Sequence, residues 1–524
     1  MSAHDLNKNH TSTSSVPDSG FQVPGSSCSS LITHYSHSSS SDSRLTTHDS
    51  HSSSSDSRLT THDSHIKLPP HGLGILLLVG PSIVWASEFI GSGEVIIATR
   101  TGAILGTSVL WAIIIGVFLK FWIGMSGARY TVCTGEGMID MFARMPGRYH
   151  WAVWIVLVAQ FIAGTISIAS VSTAAGIFLS SLVPINPGLG GWIVTIIAIL
   201  VAWMGEFKWL KIIMSFLILL VIIGVFYVCV HVFPDLSTFL KGLVPNKPEL
   251  PSWVISRGII DNPWEEILPL LGWSAGGFAS QVWYSYWVMG AGFGATKANQ
   301  YGSPADTAWL KQLSVPEAKK LKGWCRVVYT DSSMAMIIGI AVTCGFLIAG
   351  AGVLGPQQIA PDGEQVAIQL SGIFSSDWGK LGGIMFLVGG TAALVSTNIG
   401  QLAGWPRLLA DAFRICIPAF GKTFRWKTQY RMFLCFFFIT NMLIVYSLGY
   451  QPVILVKTAA VMEGLLLTPL QAVLIIIGLY YVMPRLYSKE AATILRPHWI
   501  IAFILTLATL FFGYFCIYQI PRLF

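Results

Sequence analysis

From Gly80 to Gly116 the chain reads GPSIVWASEFIGSGEVIIATRTGAILGTSVLWAIIIG. Both flanks are apolar enough for a membrane helix, yet Gly91-Ser92-Gly93-Glu94 stands inside the first run. Each glycine costs a helix about 1 kcal/mol relative to alanine. Backbone freed at membrane depth is tolerated only where protein or a cavity satisfies it. The stretch therefore predicts a membrane helix that unwinds at Gly91–Glu94 beside a binding site. The plainer alternative is that small residues let two helices pack closely.

The rest of the chain bears on that choice. It has 524 residues, 53% hydrophobic and 11% charged, with a mean hydropathy of +0.63. Soluble domains carry about a quarter charged residues, so a polytopic all-α membrane protein is expected, with the lipid bilayer as its surroundings. The eight cysteines include no CxxC pair, which argues against a disulfide framework or a thiolate metal site. No nucleophile elbow, P-loop or HExxH stands in a fitting context, so no enzyme and no resident cofactor is expected.

With about 20 residues per crossing, eleven spans are expected, at 73–103, 105–125, 151–182, 191–204, 209–232, 266–294, 327–350, 381–404, 430–448, 452–483 and 499–519. Placing the N-terminus in the cytoplasm puts twenty Lys and Arg in inside loops and six outside, as the positive-inside rule asks. The C-terminus then lies on the opposite side. This sorting also removes the nucleic-acid reading of the seven-charge basic surplus.

Residues 1–71 hold 22 Ser and nine of the twelve His, with HSSSSDSRLTTHDS repeated in tandem at 37–50 and 51–64. Such a segment buries too little apolar area to offset its chain entropy, and is expected to be a disordered tail. A metal-sensing role for its histidines is the alternative. The transport domain is expected over 72–524.

The sixth run has its own interruption, Gly276-Gly277-Phe278-Ala279-Ser280-Gln281. Paired breaks at the first helix of each five-helix half point to an inverted-repeat transporter. That makes five plus five helices and one extra. Intramembrane charges are costly and usually functional. Glu94 lies at the first break, Glu88 just before it, and Glu463 well inside the tenth run. Lys457 is expected nearer the outer end and Lys120 near the inner face, each with a stem long enough to snorkel to water. Glu88, Glu463 and Lys457 are the candidates for coupling or for the permeation pathway.

The Gly80–Gly116 stretch resembles the first two helices of the Nramp family of divalent-metal transporters, which have LeuT-type folds of eleven or twelve spans. The resemblance runs over roughly 72–485, through the broken sixth run, Asp331-Ser332-Ser333-Met334-Ala335-Met336 and Thr468-Pro469-Leu470. The family's first helix carries Asp-Pro-Gly-Asn, where this chain has Gly91, Ser92, Gly93 and Glu94. Its sixth carries Met-Pro-His, where this chain has Ala279, Ser280 and Gln281. Nramp-related magnesium transporters similarly lack that Met. The acidic residues of the family's proton route correspond to Ser167 and Ser170.

The resemblance implies a secondary active or facilitative transporter of divalent cations. Its substrate site would be Gly91, Ser92, Glu94, Ala279, Ser280 and Gln281, with Glu94 and Gln281 as metal ligands. An all-oxygen set suits hard cations such as Mg²⁺, Mn²⁺ or Ca²⁺, and a largely hydrated Mg²⁺ fits a single carboxylate best. The alternative is an organic solute such as an amino acid, walled by Trp283, Tyr284, Tyr286 and Trp287. A non-transporting sensor is the third possibility.

Overall fold

The computed structural model describes residues 66–204, 207–296, 300–448 and 451–522. The tandem repeat, and with it residues 1–65, lies outside the described residues. Among those described there is no strand. We number the principal helices α1 (Pro81–Phe89), α2 (Thr99–Leu105), α3 (Leu110–Thr134), α4 (Trp151–Leu182), α5 (Pro187–Met204), α6 (Phe207–Val232) and α7 (Trp264–Trp273). Then come α8 (Phe278–Ala291), α9 (Val315–Ala349), α10 (Val366–Cys416, two helical segments meeting at a kink at Gly379, φ +58°), α11 (Trp426–Leu448), α12 (Pro452–Val461), α13 (Thr468–Ile477) and α14 (Trp499–Tyr514).

Eight helical stretches among the described residues are long and apolar enough to cross a bilayer, from Gly93–Thr134 to Trp499–Gln519. The expected first and sixth runs are both split. The chain leaves α1 at Ile90 in an extended conformation (φ −79°, ψ 90°) and resumes in a π-helical turn, Gly93–Ala98. It leaves α7 through Ala275 and Gly276, with φ of +60° and +70°, before α8 begins at Phe278. The 10 residues of α7 and 14 of α8 are each too short to span alone.

Local chemistry sets several of the ends. α9 starts in a capping box in which Glu317 N–H donates to Ser314 Oγ and the Glu317 carboxylate accepts from Ser314 N–H. α3 stops at Gly135 in the left-handed region, φ +84°. This helix runs nine residues past the end expected at 125. Lys120 therefore stands in mid-helix and is 1% exposed; it does not snorkel to water.

α4 lies along α10 and α5, while α3 packs on α8 and α9. Neutral hydrogen bonds join α4 to α10: Trp405 Nε1 to Gln160 Oε1 (3.0 Å), Gln401 Nε2 to Ser167 Oγ (3.1 Å) and Asn398 Nδ2 to Ser172 Oγ (2.8 Å). At Arg100's end of the bundle, Arg100 and Lys457 both donate to Glu266 Oε1, at 3.0 and 2.7 Å. Lys457 is thus engaged with a buried carboxylate. At the far end of α3, Arg144 grips Glu136 through two bonds (2.6 and 2.8 Å), and Arg414 pairs with Asp140 (2.8 Å) and Asp411 (3.2 Å).

Close approach dictates Gly277. A Cβ there would lie 1.6 Å from Glu463 Oε2. Gly277→Ala is expected to lower the thermal unfolding midpoint in detergent by the equivalent of about 1–3 kcal/mol, the usual cost of overpacking. Gly389→Ala in α10, where a Cβ meets nothing within 4 Å, should be neutral or gain up to about 1 kcal/mol. Equal stability for both variants would show that the contact with Glu463 is not a constraint.

Candidate functional site

Each break frees backbone groups that water cannot reach, and the structure assigns each of the following a partner. At the first, Trp273 Nε1 donates to Phe89 O (3.1 Å) and Gly91 N–H donates to Glu94 Oε2 (3.0 Å). Thr343 Oγ1 of α9 donates to Glu94 Oε1 at 3.3 Å. Glu94 thus turns back onto its own break, capping the N-terminal end of the π-helical turn, where a carboxylate is electrostatically favoured. At the second break, Lys120 Nζ donates to Gly272 O and to Gly276 O, the latter at 2.9 Å. Gln281 Nε2 donates to Ala275 O (2.8 Å), and Ala279 N–H donates to Glu463 Oε1 (2.5 Å). Glu463 therefore stands at the N-terminus of α8.

At the second break, next to Glu88 of α1, lies a narrow cavity of about 10 Å³, room for about one water. Glu88, Ser167, Gly277, Ser280, Gln401 and Glu463 are among its lining residues. Ser280 Oγ donates to Glu88 Oε2 at 2.5 Å and accepts from Trp85 Nε1 at 3.0 Å. Five buried oxygens around the two breaks have no hydrogen-bond partner: Glu463 Oε2, Gln401 Oε1, Gln281 Oε1, Ser92 Oγ and Thr397 Oγ1, the last against Gly91. Unpartnered buried acceptors are costly, and such oxygens are what a hard cation seeks. Among the described residues no three His, Cys, Asp or Glu side chains converge as a ready metal cluster.

The structure thus gathers Glu88, Ser280 and Glu463 in one cavity. Glu94 and Gln281 are not among its lining residues, and each is bonded to its own break. Gly91 and Ala279 contribute N–H groups, and Ser92 is buried. Lys457 stands apart with Glu266. Two site residues escaped the sequence reading. Gln401 carried no signal, because an amide in an apolar helix reads as packing. Lys120 had one: no ionisable residue follows it until Arg129, so its helix had room to continue.

A further carboxylate holds the site's geometry from a distance. Asp331 of α9 accepts from Gly80 N–H (3.1 Å), Ser82 N–H (3.0 Å), Ser82 Oγ (2.9 Å) and Tyr284 Oη (2.8 Å). It caps α1 and ties it to α8.

The structure aligns with a mutant of the Eremococcus coleocola manganese transporter at a TM-score of 0.61 and 16% identity, covering 86% of this chain and 90% of that one. It also aligns with Mhp1, a nucleobase-cation-symport-1 family transporter, at a TM-score of 0.51 and 14% identity, covering 85% and 93%. The chain is therefore a multi-pass integral membrane protein with the LeuT-type transporter fold.

Residues 82–260 match the family profile described as natural resistance-associated macrophage protein-like, or Nramp. A segment of 191 residues is 27% identical to the divalent metal cation transporter MntH of Pectobacterium carotovorum subsp. carotovorum (strain PC1), covering 35% of this chain and 45% of that protein. Over about a third of its length the chain is thus similar to the Nramp family. It spans less than half the length of the curated relatives it matches, 24% and 45%.

Asp331→Asn replaces an acceptor that faces two N–H donors with an amide that matches them poorly. Hydrogen bonds to charged groups contribute about 1.5–3 kcal/mol each, so a loss of that order in unfolding free energy is expected. An unchanged denaturation curve would mean that α1 needs no cap from α9.

Proposed function

We propose that the protein is a secondary active or facilitative transporter of divalent metal cations, with hard ions such as Mn²⁺ or Mg²⁺ favoured. The substrate binds at the paired breaks, among Gly91, Ser92 and Glu94 on one side and Ala279, Ser280 and Gln281 on the other. Glu88 and Glu463 face it from the cavity. The observation that carries this reading is the pair of unpartnered buried oxygens on residues that line the cavity, Glu463 Oε2 and Gln401 Oε1. The match of residues 82–260 to the Nramp profile and the name of the MntH relative support the same cargo.

Oxygen-only ligands favour hard cations, and Ala279 offers no thioether to softer ones. The one-water size of the cavity favours an ion stripped of most of its shell. Mg²⁺ dehydrates reluctantly, which moves Mn²⁺ ahead of the largely hydrated Mg²⁺ that the sequence favoured. An organic solute is the second reading, because Trp283 and Trp405 also line the cavity. We further propose eleven spans, with the N-terminus cytoplasmic and the C-terminus opposite, from the distribution of Lys and Arg.

The test is Mn²⁺ and Mg²⁺ titration of purified variants by calorimetry, joined to competition uptake in proteoliposomes. Each unit of ion charge at 4 Å from a carboxylate is worth about 4 kcal/mol at an effective dielectric near 20. Water and rearrangement recover much of that. Glu463→Gln, Glu88→Gln and Glu94→Gln should each weaken binding about tenfold or more, and Gln281→Ala less. Competition by amino acids, with no competition among divalent ions, would hand the site to the organic-solute reading.

Proton coupling of the family's kind is not expected. Ser167 and Ser170 stand where that family has acidic groups, and a hydroxyl does not exchange protons near neutral pH. Ser167 accepts from Gln401 while Ser170 Oγ donates to Ser167 O at 2.7 Å, so both sit in a neutral network. A pH-sensitive dye inside proteoliposomes should stay silent during Mn²⁺ entry. Acidification in fixed ratio to uptake would show that Glu88 or Glu463 carries the proton.

A further inference from the structure

The helix break between α7 and α8 already holds a cation. Lys120 Nζ bonds Gly272 O in the last turn of α7 and Gly276 O within the break. The C-terminal end of a half-helix carries the negative end of its dipole, and unwound carbonyls at such an end are where transporters of this architecture place ions. The ammonium is buried, lies within electrostatic reach of the Glu94 and Glu463 carboxylates without an ion pair to either, and stands 5.6 Å from the centre of the Phe512 ring. Carbonyl oxygens, flanking carboxylates and an aromatic face together make a cation site.

A residue serving only to fill space there would not need a charge. Burying an ammonium is expensive unless oxygens and counter-charges compensate it, and the surroundings compensate this one on each count. Its stem approaches from α3, an unbroken helix that belongs to neither break. The charge is therefore fixed to an element different from the one it satisfies.

We propose that Lys120 is a tethered cation that occupies the break between α7 and α8 and competes with the transported ion for the field of Glu463 and Glu94, so that it sets the affinity of the site. The identity of the competing ion rests on the divalent-cation reading above. Binding of a divalent ion at Glu463 places like charges within one small region. Loading then requires the ammonium to shift or the ion to accept the repulsion. Lys120 is a positioning and affinity-setting residue, and it need not touch the substrate.

Lys120→Met keeps the volume of the stem and removes the charge. Lys120→Ala removes Cγ, Cδ, Cε and Nζ, leaving a space that propylammonium matches atom for atom, with 1-propanol as the neutral control. In calorimetry Lys120→Met should bind Mn²⁺ about tenfold more tightly than the parent. In Lys120→Ala, propylammonium but not 1-propanol should raise the unfolding midpoint, as a ligand of the folded state does, and should weaken Mn²⁺ binding. Mn²⁺ affinity in Lys120→Met equal to or below the parent's would overturn the proposal, even with a stabilising effect of propylammonium, since Lys120 would then be only a structural cation. Should Lys120→Ala fail to purify folded, Lys120→Met decides alone. If neither the parent nor Lys120→Met binds Mn²⁺ or Mg²⁺, the divalent-cation reading fails. The propylammonium arm then judges the cation site by itself, and no rise over 1-propanol overturns it.

Discussion

A peptide group freed from its helix inside a bilayer has no water to turn to, and leaving it unpaired costs several kcal/mol. Two such interruptions in one bundle are stable only if other parts of the chain reach in to satisfy them. Nearly every distinctive residue here does so: Trp273 for Phe89 O, Glu94 for Gly91 N–H, Lys120 for Gly272 O and Gly276 O, Glu463 for Ala279 N–H. Each of these bonds except that of Glu94 crosses from one membrane segment to another. The breaks are therefore the points at which the bundle is tied together as well as the points at which it can bind an ion.

That dual use explains the arrangement of charge. Glu463 spends one carboxylate oxygen on the N-terminus of α8 and leaves the other unpartnered in the cavity. Gln281 spends its amide N–H on Ala275 O and leaves its oxygen unpartnered. In both, one atom holds the break and its neighbour remains available. Beyond the cavity, ion pairs join the helix ends: Arg100, Glu266 and Lys457 on one side, Glu136, Arg144, Asp140 and Arg414 on the other. Those charges pair with each other at both ends, whereas at the second break Glu463 Oε2 and Gln281 Oε1 are left without donors.

Much of this was legible beforehand for a simple reason. Hydropathy registers burial in lipid, and glycine beside a carboxylate within an apolar run registers an interrupted helix. Gly91–Glu94 and Gly276–Gln281 announced both breaks, and Glu88, Glu94 and Glu463 stood out because unpaired charge in lipid is so costly. One reading failed on reach. Lys120 was placed near an end because its helix was cut short at 125, whereas α3 continues to Thr134. The partner of Lys457, Glu266, lies far away in sequence, so no local pattern revealed the pair.

The amino-acid sequence by itself determined that the chain is a helical membrane protein with two broken helices and carboxylates near them. Composition and local propensity act over a few residues, and those features are local. Only the tertiary structure decided which groups meet. Whether Glu88 shares a cavity with Glu463 or with Glu94 depends on how α1, α8 and the segment after α12 lie against one another. Whether Lys120 faces water or carbonyls depends on the rotation of α3 against α7. These are packing outcomes between segments distant in the chain, set by the joint requirement that every freed peptide group find a partner.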